Sequence, residues 1–151
     1  MTRTLTQLLA ALLLAITPMA QAAPLSGTAT LSAAAEEKVV YHINDSENAM
    51  AALHNVQNHL NASKDVHIVV VTHGKGIDFL LTGAQDRNGN LYEPVVQNLK
   101  EKGVDFRVCN NTLMSRKLET SAVIPEATIV PSGVAEIGRL QAREGYVYLK
   151  P

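Results

Sequence analysis

The stretch VHIVVV (residues 66–71) is a run of apolar, mostly β-branched residues, and the turn sequence THGKG (residues 72–76) follows it. A run of this kind is apolar enough to be buried on both faces, as strands of parallel sheets are. The sequence therefore predicts a buried strand here, and the segments on either side decide what kind of sheet it joins.

Four similar runs occur along the chain. They are VVYHI (residues 39–43), DFRVC (residues 105–109), ATIV (residues 127–130) and YVYL (residues 146–149). Between the runs, apolar residues recur at helical spacing, which predicts helices over residues 50–60, 91–99, 112–118 and 134–140, and a short one over residues 77–81. Strands that alternate with helices form βαβ units, so the sequence predicts an α/β fold with a mainly parallel five-stranded sheet covered on both faces.

Composition places the chain among ordinary proteins with a single domain. It has 151 residues, of which 46% are hydrophobic and only 4% aromatic, so the core is expected to be aliphatic. The formal net charge is -1 and there is no long basic run. This balance argues against nucleic acid as a partner.

The N-terminus has the features of a cleavable signal peptide. Arg3 is followed by the apolar run LLAALLLAI (residues 8–16), by Pro18 and by the cleavage sequence AQA (residues 20–22). The apolar run is too short to span a bilayer stably, so no membrane insertion is expected after cleavage. We expect residues 1–22 to be removed, residues 23–37 to form a flexible lead and residues 38–151 to form the domain, in the periplasm.

Cys109 is the only cysteine of the chain, and exported proteins usually hold cysteines in pairs. It ends the predicted strand DFRVC, and Asn110 or Asn111 is predicted to cap the next helix. The unpaired N–H groups and partial positive charge of a helix N-terminus favour a thiolate, which is the nucleophilic form. The alternative is a buried cysteine that packs as a small apolar residue.

Ligands of parallel sheets bind at the carboxyl ends of the strands, which indicates several further candidates. His73 follows the strand of residues 66–71 and either orients or deprotonates Cys109, hydrogen-bonds a bound oxyanion, or only caps its loop. Gly74 and Gly76 beside it would allow a ligand to come close. The predicted ligand-binding residues at these strand ends are Gly74, Asn110, Asn111, Thr112, Ser132 and Gly133. Arg116 and Lys117 follow Cys109 along the next predicted helix and are interpreted as a solvated helix face.

No metal or cofactor is expected. The chain contains neither an HExxH sequence nor a cysteine pair with zinc spacing, and His42, His54, His59 and His67 are interpreted as surface or strand residues. The GKG and PSG sequences do not form a P-loop, and no G-x-S-x-G elbow of a serine hydrolase occurs.

The sequence VCNNTL (residues 108–113), followed by IPEATIVPSGVAEIGRLQAREGYVYL (residues 124–149), resembles the DsrE/DsrF-like family of sulfur-relay proteins. VVVTHGKGIDFLL and LKEKGVDFRVC fit the same family, and the resemblance extends over residues 38–151. It implies a three-layer α/β/α sandwich, association into trimers or hexamers, and a cysteine at the position of Cys109 that accepts sulfur as a persulfide. After Cys109, the sequence NNTLMSR replaces the Ala-rich run of the relay members.

The leading hypothesis is therefore a periplasmic protein that carries sulfane sulfur on Cys109, with His73 as base or orienter and an unidentified donor or acceptor protein as partner. The alternative is a non-catalytic oligomeric module that binds a small ligand or a protein at the strand ends. A dithiol oxidoreductase is disfavoured because the chain has no second cysteine.

Overall fold

The computed structural model of the protein describes residues 36–151. The expected signal peptide and residues 23–35 of the expected lead lie outside the described residues. Within residues 36–151, no helix is long and apolar enough to cross a membrane.

Strands and helices alternate along the described chain. The strands are β1 (Lys38–Ile43), β2 (His67–Thr72), β3 (Asp105–Cys109), β4 (Ala127–Val130) and β5 (Val147–Leu149). The α-helices are α1 (Ala49–Ala62), α2 (Glu93–Glu101), α3 (Asn110–Ser115) and α4 (Gly133–Glu144). Short 3-10 helices span Ser46–Asn48, Gly74–Leu80 and Thr120–Ala122.

The five strands form one parallel sheet in the order β4-β3-β2-β1-β5. The stretch quoted first supplies β2, which lies at the centre, where Val70 is in register with Tyr41 of β1 and with Phe106 of β3. The prediction of a parallel five-stranded sheet is confirmed. All strands end at the same edge, so the residues that follow them are neighbours in space.

Helices cover both faces of the sheet, but unequally. One face packs against α1, α2, α3 and the 3-10 helix Gly74–Leu80 in the larger core, which includes Leu53, Phe79 and Phe106. On the other face, Val69 and Val71 of β2 pack against Ile137 and Leu140 of α4. The predicted three-layer α/β/α sandwich is confirmed, and α4 lies across the face opposite the larger core.

Several predicted boundaries were wrong. Helix α3 begins at Asn110 and not at Thr112, because Cys109 itself is the N-cap residue and neither Asn110 nor Asn111 caps the helix. The segment predicted as a short helix over residues 77–81 is a 3-10 helix that begins earlier, at Gly74. Strand β5 begins at Val147 and not at Tyr146.

The turn after β2 packs directly on the end of β1, and Gly76 permits this contact. A Cβ atom on Gly76 would overlap the carbonyl oxygen of Ile43 and would lie 2.7 Å from the Cα of Asn44. The predicted role of Gly76, in which it lets a ligand approach, is therefore wrong. The atoms that approach it are the chain's own backbone.

Gly76→Ala is expected to lower the free energy of unfolding by about 2–4 kcal/mol, because the turn must move away from β1 to make room for the methyl group. Urea denaturation measures the change. Gly138→Ala is the matched control, since a Cβ at this exposed position of α4 meets nothing within 4 Å. The control should gain about 0.5–1 kcal/mol as glycine leaves a helix interior. Equal stability of the two variants would contradict this account of the turn.

Candidate functional site

The candidate site lies at the carboxyl edge of the sheet, where β2, β3 and β4 end. Cys109 is the last residue of β3, His73 directly follows β2, and Gly133 begins α4 after β4. A Cβ atom on Gly133 would lie 3.2 Å from the Cβ of Cys109 and 3.3 Å from the Cβ of His73. The Cβ atoms of Cys109 and His73 therefore flank the same point at the start of α4.

The absence of a side chain at Gly133 allows α4 to begin against the strand ends. The same Cβ atom would lie 3.0 Å from the carbonyl oxygen of Thr72, which is tighter than ordinary van der Waals contact. Because α4 comes this close, the backbone N–H of Gly133 reaches the sulfur of Cys109. Gly133 thus contributes to the site through its backbone.

The thiol of Cys109 is buried, with 4% of the residue exposed. Burial by itself raises the pKa of this thiol, because a thiolate loses hydration inside the protein. Hydrogen bonds from the N–H of Gly133, the hydroxyl and N–H of Thr112, and the N–H of Asn111 act in the opposite direction and outweigh burial. The net pKa of Cys109 lies below its ordinary value. The hydrogen-bond donors around the sulfur therefore favour the thiolate, which is the nucleophilic form of this cysteine.

Thr112 connects the thiol to the turn after β2. Its side-chain oxygen accepts a hydrogen bond from the backbone N–H of Gly74 at 3.0 Å. With its oxygen engaged in this way, the hydroxyl is free to donate its own proton to the sulfur of Cys109. Gly74 supports this contact through a left-handed backbone conformation, with φ of 59°.

The other predicted ligand-binding residues have different contacts. The N–H of Asn111 is shared with the carbonyl oxygen of Pro131 at 3.3 Å, and its effect on the thiol pKa is the smallest of the four donors. The side chain of Ser132 caps α4, accepting from the N–H of Ala135 at 3.4 Å. The Asn110 amide donates to the sulfur of Met114, also at 3.4 Å. Ser132 and Asn110 thus have local structural partners.

His73 faces a second histidine. Its Nε2 atom is 2.7 Å from the Nε2 atom of His42, and the Nδ1 atom of His42 is 2.7 Å from the hydroxyl oxygen of Tyr148. Burial and the charge of Lys150 lower the pKa of His73. Burial, His73 and Lys150 lower the pKa of His42 to about 4. Both rings are therefore neutral at neutral pH, so a protonated His73 does not account for the low pKa of Cys109.

His42 and Tyr148 were not predicted from the sequence as parts of the site. His42 is the second-last residue of β1, and Tyr148 belongs to β5, which pairs with β1. Both residues lie near the ends of strands, and parallel strands end at one edge of the sheet, so their positions could have marked them as candidates for the site. Their contact also depends on β5 lying beside β1, and the order of the strands does not follow from the sequence pattern.

Arg116 and two further histidines contact acidic side chains. Arg116 pairs with Asp78 and donates to the carbonyl oxygen of Gly74 at 3.4 Å, so it braces the turn beside His73. His59 lies between Tyr41 and Glu37, and His67 pairs with Glu36. Among residues 36–151, no group of three or more His, Cys, Asp or Glu side chains is placed to hold a metal ion.

Known proteins share both the sequence pattern and the fold of this chain. The model of the DsrE/DsrF-like family matches residues 30–151. The protein of unknown function MTH1491 from Methanobacterium thermoautotrophicum has a similar solved structure, with a TM-score of 0.68 and 29% identity over 76% of this chain and 99% of that one. The ychN protein from E. coli is similar in fold, with a TM-score of 0.64 and 14% identity over the same shares of the two chains. No curated protein matches the chain.

Thr112→Val should raise the pKa of Cys109, because it removes the hydroxyl donor and keeps the shape of the side chain. A hydrogen bond to a charged group contributes about 1.5–3 kcal/mol, so the pKa is expected to rise by about one unit or more. The pH dependence of alkylation by iodoacetamide measures it, with Thr128→Val at an exposed position of β4 as control. An unchanged midpoint in Thr112→Val would show that the hydroxyl does not act on the sulfur.

Proposed function

Because the chain belongs to the DsrE/DsrF-like family, which is generally related to sulfur relay, we propose that it carries sulfane sulfur as a persulfide on Cys109. The observation that carries the proposal is the set of hydrogen-bond donors around the sulfur, which lower the pKa of a thiol that burial alone would raise. A merely structural cysteine gains nothing from a stabilised thiolate.

The chemistry requires a nucleophilic thiolate and no cofactor. The Cys109 thiolate attacks the outer sulfur of a sulfane donor, an S–S bond forms on the protein and the S–S bond of the donor breaks. With thiosulfate as donor, sulfite leaves with the electron pair of the broken bond. The terminal sulfur of the persulfide then passes to the thiolate of an acceptor, which regenerates the Cys109 thiolate.

The N–H groups of Gly133 and Thr112 also suit the persulfide form. They stabilise negative charge on the Cys109 sulfur when it attacks the donor. They do so again when it leaves as a thiolate, as the terminal sulfur passes to the acceptor. The small exposure of Cys109 favours compact inorganic donors over large ones. A protein that donates or accepts the sulfur must open the site or insert a narrow segment into it.

We also propose that the protein acts in the periplasm as a homo-oligomer, a trimer or a hexamer. The signal-peptide pattern of residues 1–22 supports export. Exposed apolar side chains support assembly: Met114 of α3 and Val134 of α4 are 68% and 65% exposed, and Val147 of the edge strand β5 is exposed as well. Met114 and Val134 belong to the two helices that begin beside Cys109.

A non-catalytic binding module is the second candidate function. A cleft of about 390 Å³ lies at the carboxyl ends of β1 and β5, and His42, Asn44, Asp45 and Lys150 are among the residues that line it. Its mixed charges suit a small polar ligand. In this alternative, Cys109 is a buried support of the strand ends and does not react.

Intact-mass analysis after incubation with thiosulfate or polysulfide separates the two functions. The folded protein should gain the mass of one sulfur atom, reducing agent should remove it, and Cys109→Ser should gain nothing. Thr112→Val should gain it more slowly at neutral pH, since less thiolate is present. If sulfur is gained only after denaturation, Cys109 is a core residue and the carrier function is wrong.

A further inference from the structure

Three side chains from different strands form one hydrogen-bonded chain at the site. Tyr148 of β5 contacts the Nδ1 atom of His42, and the Nε2 atom of His42 contacts the Nε2 atom of His73, each at 2.7 Å. Between two neutral imidazoles, one ring must donate and the other must accept. The tautomer of each histidine therefore dictates the tautomer of the other.

The inner end of this chain lies beside Cys109. The Cβ atoms of His73 and Cys109 both fall within 3.3 Å of the point where a Cβ on Gly133 would lie. Since Nε2 of His73 faces His42, the nitrogen left for the cysteine is Nδ1, which is bonded to the ring carbon next to Cβ.

We propose that His42, His73 and Tyr148 form a proton path that links the buried thiol of Cys109 to solvent, with His42 and Tyr148 as positioning residues that set the tautomer of His73. This inference rests on the proposed role of Cys109 as a nucleophile. His42 and Tyr148 thereby have a role in the site, although sulfur transfer itself does not require them.

The protons balance along this path. Before ionisation, His73 carries its proton on Nε2 and donates to His42, and His42 carries its proton on Nδ1 and donates to Tyr148. The thiol proton then passes to Nδ1 of His73, each later donor hands on its own proton, and the hydroxyl proton of Tyr148 goes to water. One proton has left the thiol, both rings have changed tautomer, and neither an imidazolium nor a phenolate remains.

The final arrangement stabilises the product of ionisation. The Nδ1–H of His73 now points to the thiolate, and it joins the donors from Gly133 and Thr112. Lys150 lowers the pKa of both histidines, and it thereby disfavours a proton that stops on either ring. The other cation near the turn, Arg116, is paired with Asp78.

The outer end of the path reaches water. Cys109 is 4% exposed, whereas Tyr148 is 38% exposed. His42 also lines the 390 Å³ cleft between the ends of β1 and β5, so water has access to this side of the pair. The path thus connects a thiol that water hardly reaches with two residues that water does reach.

Nitrogen-15 NMR of histidine side chains tests the proposal without any sulfur donor. In the wild type, the His73 proton should lie on Nε2 below the pKa of Cys109 and on Nδ1 above it, so the two nitrogen shifts exchange places during the titration. Cys109→Ser should keep one His73 tautomer throughout. His42→Leu and Tyr148→Phe should both lose the exchange, and Tyr148→Phe retains the ring, so it is expected to fold even if His42→Leu does not.

Alkylation of Cys109 supplies the second readout. Cutting the path in either variant removes the His73 donor from the thiolate, so the alkylation midpoint should rise by about one pH unit. The control is His54→Leu at an exposed position of α1, which should change neither readout.

Two outcomes would overturn the path: a wild-type His73 that keeps one tautomer across the titration, or an exchange that persists in both His42→Leu and Tyr148→Phe. Either result leaves the persulfide experiment unaffected. Conversely, the tautomer exchange would survive a failure to load sulfur, so the two proposals fail separately.

Discussion

The site depends on the close contact between the start of α4 and the carboxyl ends of β2 and β3. A Cβ atom on Gly133 would be crowded, because the carbonyl oxygen of Thr72 and the Cβ atoms of Cys109 and His73 would lie 3.0–3.3 Å from it. This contact brings a backbone N–H to the sulfur and sets His73 beside the cysteine. The parallel sheet supplies the geometry, since all five strands end at one edge and α3 and α4 begin there.

Two opposing effects determine the pKa of the Cys109 thiol. Burial raises the pKa of Cys109, and the donors from Gly133, Thr112 and Asn111 lower it by more. A buried thiolate held in this way is shielded from bulky oxidants and disulfide partners, and it remains able to react with a small donor. This combination suits a single cysteine in the proposed periplasmic location, where unwanted disulfide formation is a hazard.

The sequence was sufficient to predict the fold and the position of the cysteine. The apolar run of β2 is buried on both faces as expected, and Cys109 ends β3 as expected, because both follow from local patterns of apolar residues. Contacts between segments that are distant in the chain do not follow from local patterns of apolar residues. The meeting of His42 with Tyr148 requires β5 to add to the sheet beside β1, and the role of Gly76 requires the turn after β2 to press on Ile43.

The central claim is that the folded protein stabilises the Cys109 thiolate. Its most direct test is the ultraviolet absorbance of the thiolate, followed from acid to alkaline pH, with the Cys109→Ser protein subtracted to remove the tyrosines. We expect a single transition with a midpoint below the value of about 8.5 that a free cysteine shows. A midpoint at or above that value would show that burial prevails over the surrounding donors, and that Cys109 is a structural residue.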